Sequence, residues 1–414
     1  MAKIFTDREQ YGGANPTPRL EVDYYDIVAP TSCTISINSG AVYTTSETFT
    51  LTLLASDFPS GMSQMQFSND GANYSTAEAY ATSKSYTLSG EGLKTVYVKF
   101  KDISGNWSAP VSDTITLDTV HPTGTIEING GAVYTSASPV TLTLSSTDSA
   151  QMQFNNEGGA WSSWEAYGTS KSWPLSAGDG VKTVYVQFKD AAGNVSTEPI
   201  NAGIKVVADT GTIPAAKALD NVGDKEVALL NKAVTADFGD YLYIQEPGDG
   251  FSGIRVDKGG FAQGSFVNVA GVMNLLNGER IIQNASVTAG TAGVMPGAVL
   301  LLNKHIGGAS LNDYTPGIAG LYGVNNIGLL VTVTGRLTKT ESGYWFVDDG
   351  SAMPYDAVIV GIPLDVSLLS AGKKAELATS DNVVVTGICQ TGSIASQTVP
   401  VVRLRQDSDI VYYR

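Results

Sequence analysis

One stretch of this chain occurs twice: KTVYVKFKDISGN at residues 94–106 and KTVYVQFKDAAGN at residues 182–194. In the first copy Val96, Val98 and Phe100 alternate with Thr95, Tyr97 and Lys99, a period of two that is typical of a half-buried β-strand. The Asp-x-x-Gly-Asn that ends each copy predicts a tight turn, because Asx side chains bond the nearby backbone and glycine accepts a positive φ. A strand and turn repeated in this way predict a repeated domain.

The repeat extends well beyond this strand. TISINSGAVYT begins at residue 34 and returns as TIEINGGAVYT at residue 125, and QMQF at residue 64 returns at residue 151. The offset between the copies therefore falls from 91 residues (34 to 125) to 87 residues (64 to 151). We expect a loop near residues 58–63 of the first copy to be shorter in the second, since exposed loops tolerate changes of length.

These patterns predict an all-β protein: two Ig-like β-sandwiches in tandem followed by two OB-like β-barrels. Short strands between Gly, Asn and Asp turns are typical of the sandwiches. In the second half, DYLYIQ at 240–245 matches GYWFV at 343–347, and the order of strands and turns is that of an OB barrel. Only residues 366–377 have a helical pattern. The expected domains are an anchoring arm at 1–30, sandwiches at 31–119 and 120–210, and barrels at 211–310 and 311–414.

Composition and charge narrow the classes of partner. The chain carries 25 basic and 40 acidic residues, a net charge of −15, which disfavours binding to nucleic acid. No apolar run approaches the roughly 18 residues of a membrane helix, so we expect no membrane insertion. The first residues lack the pattern of a secretory signal. The two cysteines, Cys33 and Cys389, cannot form a disulfide framework, and we expect both to be inert thiols.

Two parts of the chain resemble known bacterial modules. The K-T-V-Y-V strands, the turns at Asp102 and Asp190 and the Asp118-Thr119-x-x-Pro122 linker resemble bacterial Ig-like repeat modules of surface, secreted and phage-tail proteins. The second half resembles tandem OB-like modules of large secreted bacterial proteins, in residues 253–256, 278–280 and 325–331. Together the resemblances cover about residues 31–414. They imply export or display and bring no catalytic motif.

The residues of an enzyme active site are not evident in the sequence. The two histidines, His121 and His305, cannot make a histidine-rich metal site. Glycoside cleavage needs two carboxylates at a fixed separation, which makes the acidic pairs Asp348–Asp349 and Glu246 with Asp249 candidates, but their position in Asp-Gly turns favours hairpin turns. We therefore predict no enzymatic activity and no cofactor, apart from a calcium ion that the sequence leaves open.

Calcium is suggested by acidic residues at the places where domains are expected to join. These are Asp102, Asp118, Asp190 and Asp209. Carboxylate oxygens are the ligands that Ca²⁺ prefers, although none of the four lies in a D-x-D-x-D-G loop.

Exposed aromatic residues are the candidates for a ligand-binding surface. Trp161, Trp164 and Tyr167 cluster in the second repeat, and Tyr241 and Tyr344 lie on strands that an OB barrel commonly uses for ligands. Flat rings stack on sugars and on bases, and the acidic charge favours sugars. The alternative is that these rings fill the cores of their domains.

The sequence thus supports two hypotheses of function. The first is a non-enzymatic displayed structural protein, a subunit of an extracellular assembly such as a phage tail, an injection particle or a surface filament. Its protein partners would bind the N-terminal arm, through Leu20, Val22, Asp23, Tyr24 and Tyr25. The alternative is a cell-surface or secreted carbohydrate-binding adhesin that uses the exposed aromatic residues. Both place the protein outside the cell or on the surface of a particle.

Overall fold

The computed structural model describes residues 2–5, 22–220, 225–319, 321, 323–351, 361–377, 381–394 and 396–413. These residues form thirty strands and two short α-helices, so the prediction of an all-β protein is confirmed. None of the helices in the described parts has the length and apolar character needed to cross a membrane. At the N-terminus, β1 (Ala2–Phe5) and β2 (Val22–Tyr25) pair antiparallel in a two-stranded sheet of their own.

The first repeat folds into two sheets that share one core. A three-stranded sheet has the order β3-β5-β8, and a five-stranded sheet has the order β4-β10-β9-β6-β7, in which β4 runs parallel to β10. The strands are β3 (Thr31–Ile37), β4 (Tyr43–Thr44), β5 (Thr48–Ser56), β6 (Met62–Ser68), β7 (Glu78–Ala79), β8 (Ser83–Thr87), β9 (Gly92–Asp102) and β10 (Val111–Leu117). We call this unit the first sandwich.

The second repeat has the same arrangement, with sheets β11-β13-β16 and β12-β18-β17-β14-β15, and we call it the second sandwich. Its strands are β11 (Gly124–Ile128), β12 (Tyr134–Thr135), β13 (Val140–Ser146), β14 (Gln151–Asn156), β15 (Glu165–Ala166), β16 (Ser170–Trp173), β17 (Gly180–Lys189) and β18 (Ile200–Val206). The loop after β13, residues 147–150, is shorter than the matching loop after β5, as the change in spacing predicts.

The repeated K-T-V-Y-V stretch forms the central strand of each larger sheet. In β9 the side chains of Val96, Val98 and Phe100 are fully buried, and the residues between them are half-buried. They pack against Leu51 and Leu53 of β5 in the opposite sheet. The period of two seen in the sequence thus separates the core face of the strand from its outer face.

The second half begins with a five-stranded closed barrel, which we call the first barrel. Its strands follow one another around the ring in the order β19-β20-β21-β23-β22, with β21 parallel to β23. The elements are α1 (Ile213–Ala218), β19 (Glu226–Asp237), β20 (Leu242–Gln245), β21 (Gly253–Val256), β22 (Phe266–Leu276) and β23 (Glu279–Ala289). The sequence pattern does not predict α1. Thr212 caps this helix by accepting a hydrogen bond from the backbone N–H of Ala215.

The remaining strands form a seven-stranded sheet that repeats the same ring of pairings. In it β25 pairs with both β26 and β28, and β27 runs parallel to β29. The elements are β24 (Val299–Leu300), β25 (Leu330–Lys339), β26 (Trp345–Asp348), β27 (Ile362–Asp365), α2 (Ala371–Glu376), β28 (Asn382–Ile394), β29 (Gln397–Arg403) and β30 (Ile410–Tyr413). We call this unit the second ring. The helical pattern at 366–377 corresponds to α2. Ile306, which lies between β24 and β25, packs in the core of this unit.

Candidate functional site

The Asp-x-x-Gly-Asn turn does more than reverse the chain. In the first sandwich the buried carboxylate of Asp102 accepts hydrogen bonds from the backbone N–H and the side-chain amide of Asn106, each at 2.8 Å. The amide nitrogen of Asn106 also donates to the backbone carbonyl of Asp26 at 2.9 Å. The turn therefore fastens residues 26–30, the lead-in segment, to the first sandwich.

The second sandwich repeats this clamp. Asp190 accepts from the backbone and side-chain nitrogens of Asn194 at 2.8 Å, and the same side-chain nitrogen donates to the carbonyl of Asp118 at 2.9 Å. Asp118 is the first residue of the linker between the sandwiches. Asp26 and Asp118 thus occupy equivalent positions, and each begins an Asp-x-Val-x-Pro sequence.

The linker between the sandwiches is held from both sides. The backbone N–H of Thr119 donates to the carboxylate of Glu91 in the first sandwich at 3.0 Å. Nδ1 of His121 lies 2.6 Å from the carbonyl oxygen of Val195 in the second sandwich. These two bonds and the bond from Asn194 hold the linker at both ends. Its movement is therefore much more restricted than the composition of a short proline-containing linker predicts.

The second sandwich also contacts the first barrel. The N–H of Thr210 donates to the carbonyl of Ala228 at 2.7 Å, and the N–H of Tyr134 donates to the hydroxyl of Ser286 at 3.1 Å. Asp209 accepts from the N–H of Gly211 at 3.0 Å, which forms the turn at this junction. The junction between the second sandwich and the first barrel is therefore also fixed by hydrogen bonds from backbone N–H groups.

Two glycines mark the contact between the first barrel and the second ring. A Cβ atom on Gly253 would lie 2.1 Å from the carbonyl oxygen of Gly328, and Gly328 has a φ of +90°. Beside them, Nζ of the buried Lys217 donates to the carbonyl of Ile327 at 2.7 Å. Only glycine allows two backbones to approach this closely.

Buried ionisable groups surround this contact. The hydroxyl of Tyr243 donates to the carboxylate of Glu279 at 2.9 Å, and both side chains are buried. Burial raises the pKa of Glu279 to about 7 and lowers the pKa of Lys217 to about 8. Burial also raises the pKa of the Cys389 thiol to about 12, so this thiol stays protonated at neutral pH.

Two of the predicted ligand-binding aromatics make contacts within the protein. Tyr167 packs in the core of the second sandwich, edge-to-face with Phe188 at 5.9 Å between centroids, and its hydroxyl accepts from the N–H of Ser146 at 3.0 Å. The ring of Tyr241 has the guanidinium of Arg255 3.8 Å from its centroid, and its hydroxyl accepts from Arg403. Their ring faces are thus partly covered.

The other three predicted aromatics keep free surface. Trp161 and Trp164 are half-buried, and the ammonium of Lys189 lies 4.4 Å from the ring centroid of Trp164. Tyr344 is 51% exposed and leads into β26. These rings remain the accessible part of the predicted binding surface.

The acidic residues divide into those that come together and those that do not. Asp102 lies beside Asp26 and Asp57, with one carboxylate oxygen of each within 4.8 Å of the others. Among the residues that the structure describes, the predicted positions Asp118, Asp190 and Asp209 belong to no such group. Asp26 and Asp57 are not among the residues predicted from the sequence, although the Asp-x-Val-x-Pro sequence shared by residues 26–30 and 118–122 marks Asp26 as the counterpart of Asp118.

The acidic pairs weighed as carboxylate catalysts have structural partners. Asp348 accepts from the N–H of Gly350 at 2.8 Å, which is a turn bond. Glu246 pairs with the buried Lys232 at 2.9 Å and also accepts from the N–H of Ile213.

For the predicted assembly arm, Leu20 lies outside the described residues. Val22, Asp23, Tyr24 and Tyr25 form β2.

Comparison with known proteins shows a remote likeness only. No protein-family model matches the sequence, and no curated protein matches it. A solved structure of fibronectin(III)-like modules of Clostridium thermocellum CbhA is 14% identical, with a TM-score of 0.28 over 42% of this chain and 94% of that one.

Two further structures cover more of this chain. One comes from a 1.5-MDa bacterial ice-binding adhesin, 15% identical, with a TM-score of 0.28 over 64% of this chain and 98% of that one. The other holds three N-terminal domains of the outer capsid protein Hoc of bacteriophage RB49, 13% identical, with a TM-score of 0.22 over 64% and 99%. TM-scores this low carry no argument about what the present chain binds.

Proposed function

We propose that the chain is a non-enzymatic structural protein, displayed outside the cell or on a particle, whose β-modules hold its two ends apart. In this proposal the repeats are Ig-like sandwiches, and the first barrel and the second ring are two OB-like barrels. The ring of five strands with one parallel pair, present twice, supports the OB assignment.

The observation that carries the proposal is the way in which the junctions are fixed. Asn106 and Asn194 each fasten the segment that precedes their own sandwich, and Thr210 bonds the first barrel. A spacer needs such junctions, because freely jointed modules would not keep their ends at a set separation.

Limited proteolysis tests this proposal. We expect proteinase K to leave residues 118–123 uncut in the natural chain and to cut there in Asn194→Ala, with the cut sites read by mass spectrometry. Rapid cutting of this linker in the natural chain would contradict a fixed junction.

We further propose that the N-terminal sheet is the docking element of a larger extracellular assembly. Within the described residues β1 and β2 pair with each other alone, so both outer edges of this sheet offer unpaired backbone groups. A strand of a neighbouring subunit could add to either edge. Light scattering should show association of the full chain and a monomer after deletion of residues 1–25; equal association of both would contradict this role.

A second candidate function is carbohydrate binding by a surface adhesin. The accessible rings of Trp161, Trp164 and Tyr344 favour it, since sugars stack on exposed aromatic faces. A glycan array tests it: binding that is lost in Trp161→Ala with Trp164→Ala would support the adhesin. A blank array with folded protein would exclude it.

A further inference from the structure

Three carboxylates meet where the chain enters the first sandwich. Asp26 lies in the lead-in segment, Asp57 in the loop after β5 and Asp102 at the end of β9. One oxygen of each lies within 4.8 Å of the others. Asp102 is fully buried and Asp26 is 9% exposed. No ion pair joins them to a lysine or arginine among the described residues. Like charges this close repel one another, so the cluster is costly without a compensating positive charge.

Two oxygens of the cluster have no partner in the described protein. They are Oδ2 of Asp26 and Oδ1 of Asp57, both buried. The other oxygen of each accepts a bond, from the N–H of Val28 at 3.0 Å and from the hydroxyl of Ser60 at 2.6 Å. A buried oxygen without a partner loses its hydration and gains nothing in return.

We propose that Asp26, Asp57 and Asp102 bind one divalent cation of the calcium class. The three side chains offer only oxygen, which selects hard cations over zinc or copper. They come from a lead-in segment, a loop and a strand end, an irregular set that suits Ca²⁺ better than the strict octahedron of Mg²⁺. The bound ion would join these three elements and so fix the lead-in segment to the first sandwich.

The second sandwich supplies a matched comparison inside the same chain. Asp118, Asp148 and Asp190 stand at the equivalent sequence positions. In the described structure they form no cluster. The loop after β13 is shorter than the loop after β5, and Asp148 lies in it with a φ of +60°. The site is therefore a property of the first sandwich, and it does not depend on the proposed spacer function.

Equilibrium dialysis of the full chain against CaCl₂, with bound metal measured by mass spectrometry, tests the site. We expect one Ca²⁺ per chain, an affinity at least tenfold weaker in Asp57→Asn, and an unchanged affinity in Asp148→Asn. Asp57 is the residue of choice because it lies in a loop and does not anchor the Asp-x-x-Gly-Asn turn. Circular dichroism checks that both variants fold.

Three results would overturn the proposal. These are the absence of bound calcium in the natural chain, full binding retained by folded Asp57→Asn, and equal loss of binding in Asp148→Asn. Dialysis against MgCl₂ tests the choice of ion: we expect at least tenfold weaker binding, and equal binding would refute the assignment to the calcium class.

Discussion

The side-chain amide of Asn194 lies 2.9 Å from the backbone carbonyl of Asp118, and this bond joins the second sandwich to the linker before it. The same amide donates to Asp190 at 2.8 Å. One side chain thus closes a turn and secures a junction. Asn106 does both at the first sandwich, so the repeated motif carries its junction with it.

Replacing this amide should loosen the second sandwich. Asn194→Ala removes the bonds to Asp118 and Asp190 and leaves buried acceptors without a partner, which costs about 1–3 kcal/mol. Scanning calorimetry should show a lower unfolding temperature for this sandwich. Asn201→Ala, an exposed position on β18, should stay close to the natural chain; equal effects of both variants would contradict the clamp.

The contact between Gly253 and Gly328 should not tolerate a side chain. A Cβ on Gly253 meets the Gly328 carbonyl at 2.1 Å, so Gly253→Ala must push the barrel and the ring apart and should destabilise them by about 2–3 kcal/mol. Gly297→Ala is the matched control, since a Cβ there meets nothing within 4 Å. Calorimetry of both variants checks this, and a neutral Gly253→Ala would mean that the two units do not pack as described.

The stability of the first barrel should fall as the pH rises from about 4.5 to about 7. The folded pKa of Glu279, about 7, lies above the ordinary value of 4.5, so the folded chain holds this proton more tightly than the unfolded chain. Its contribution is complete below pH 4.5 and is lost on passing pH 7, a change of about 3 kcal/mol if the full shift is expressed.

Calorimetry across this pH range checks the Glu279 prediction. The variant Glu279→Gln keeps a hydrogen-bonding partner for Tyr243 but should lose this part of the pH dependence. Glu127→Gln, at an exposed position on β11, should retain it. The same pH profile in Glu279→Gln as in the natural chain would show that another group is responsible.

The hydroxyl of Tyr167 should stabilise the second sandwich. Tyr167→Phe leaves the N–H of Ser146 without its partner, which costs about 1–2 kcal/mol. Tyr344→Phe changes an exposed ring and should cost little. Chemical denaturation followed by circular dichroism compares the two, and a neutral Tyr167→Phe would argue that water replaces the bond.

The sequence predicts the strands well and the contacts between units poorly, for a physical reason. The alternation around Val96 and Val98 is a local property with a period of two, and it survives in the structure. The approach of Gly253 to Gly328 joins residues on separate strands, which local periodicity does not record. The acidic cluster is an intermediate case: the position of Asp102 at an expected domain junction predicts it as a calcium ligand, whereas Asp57 reaches the cluster only through the path of the loop after β5.

The helix α1 shows a further limit of local patterns. Its signals, Thr212 as a cap and Pro214 in the first turn, are present in the sequence, but the helix is too short to show a periodicity. Tyr241 is a similar case. Its place on a strand that an OB barrel commonly uses for ligands predicts an exposed ring, and only the tertiary structure brings Arg255 and Arg403 onto it.

The central claim is that the junction between the sandwiches is fixed, and a distance distribution across it is the most direct test. Spin labels at Thr52→Cys and Thr143→Cys, equivalent exposed positions in a background with Cys33→Ser and Cys389→Ala, can be measured by double electron–electron resonance. We predict one narrow distribution that broadens in Asn194→Ala. A broad distribution with the linker unaltered would contradict the account.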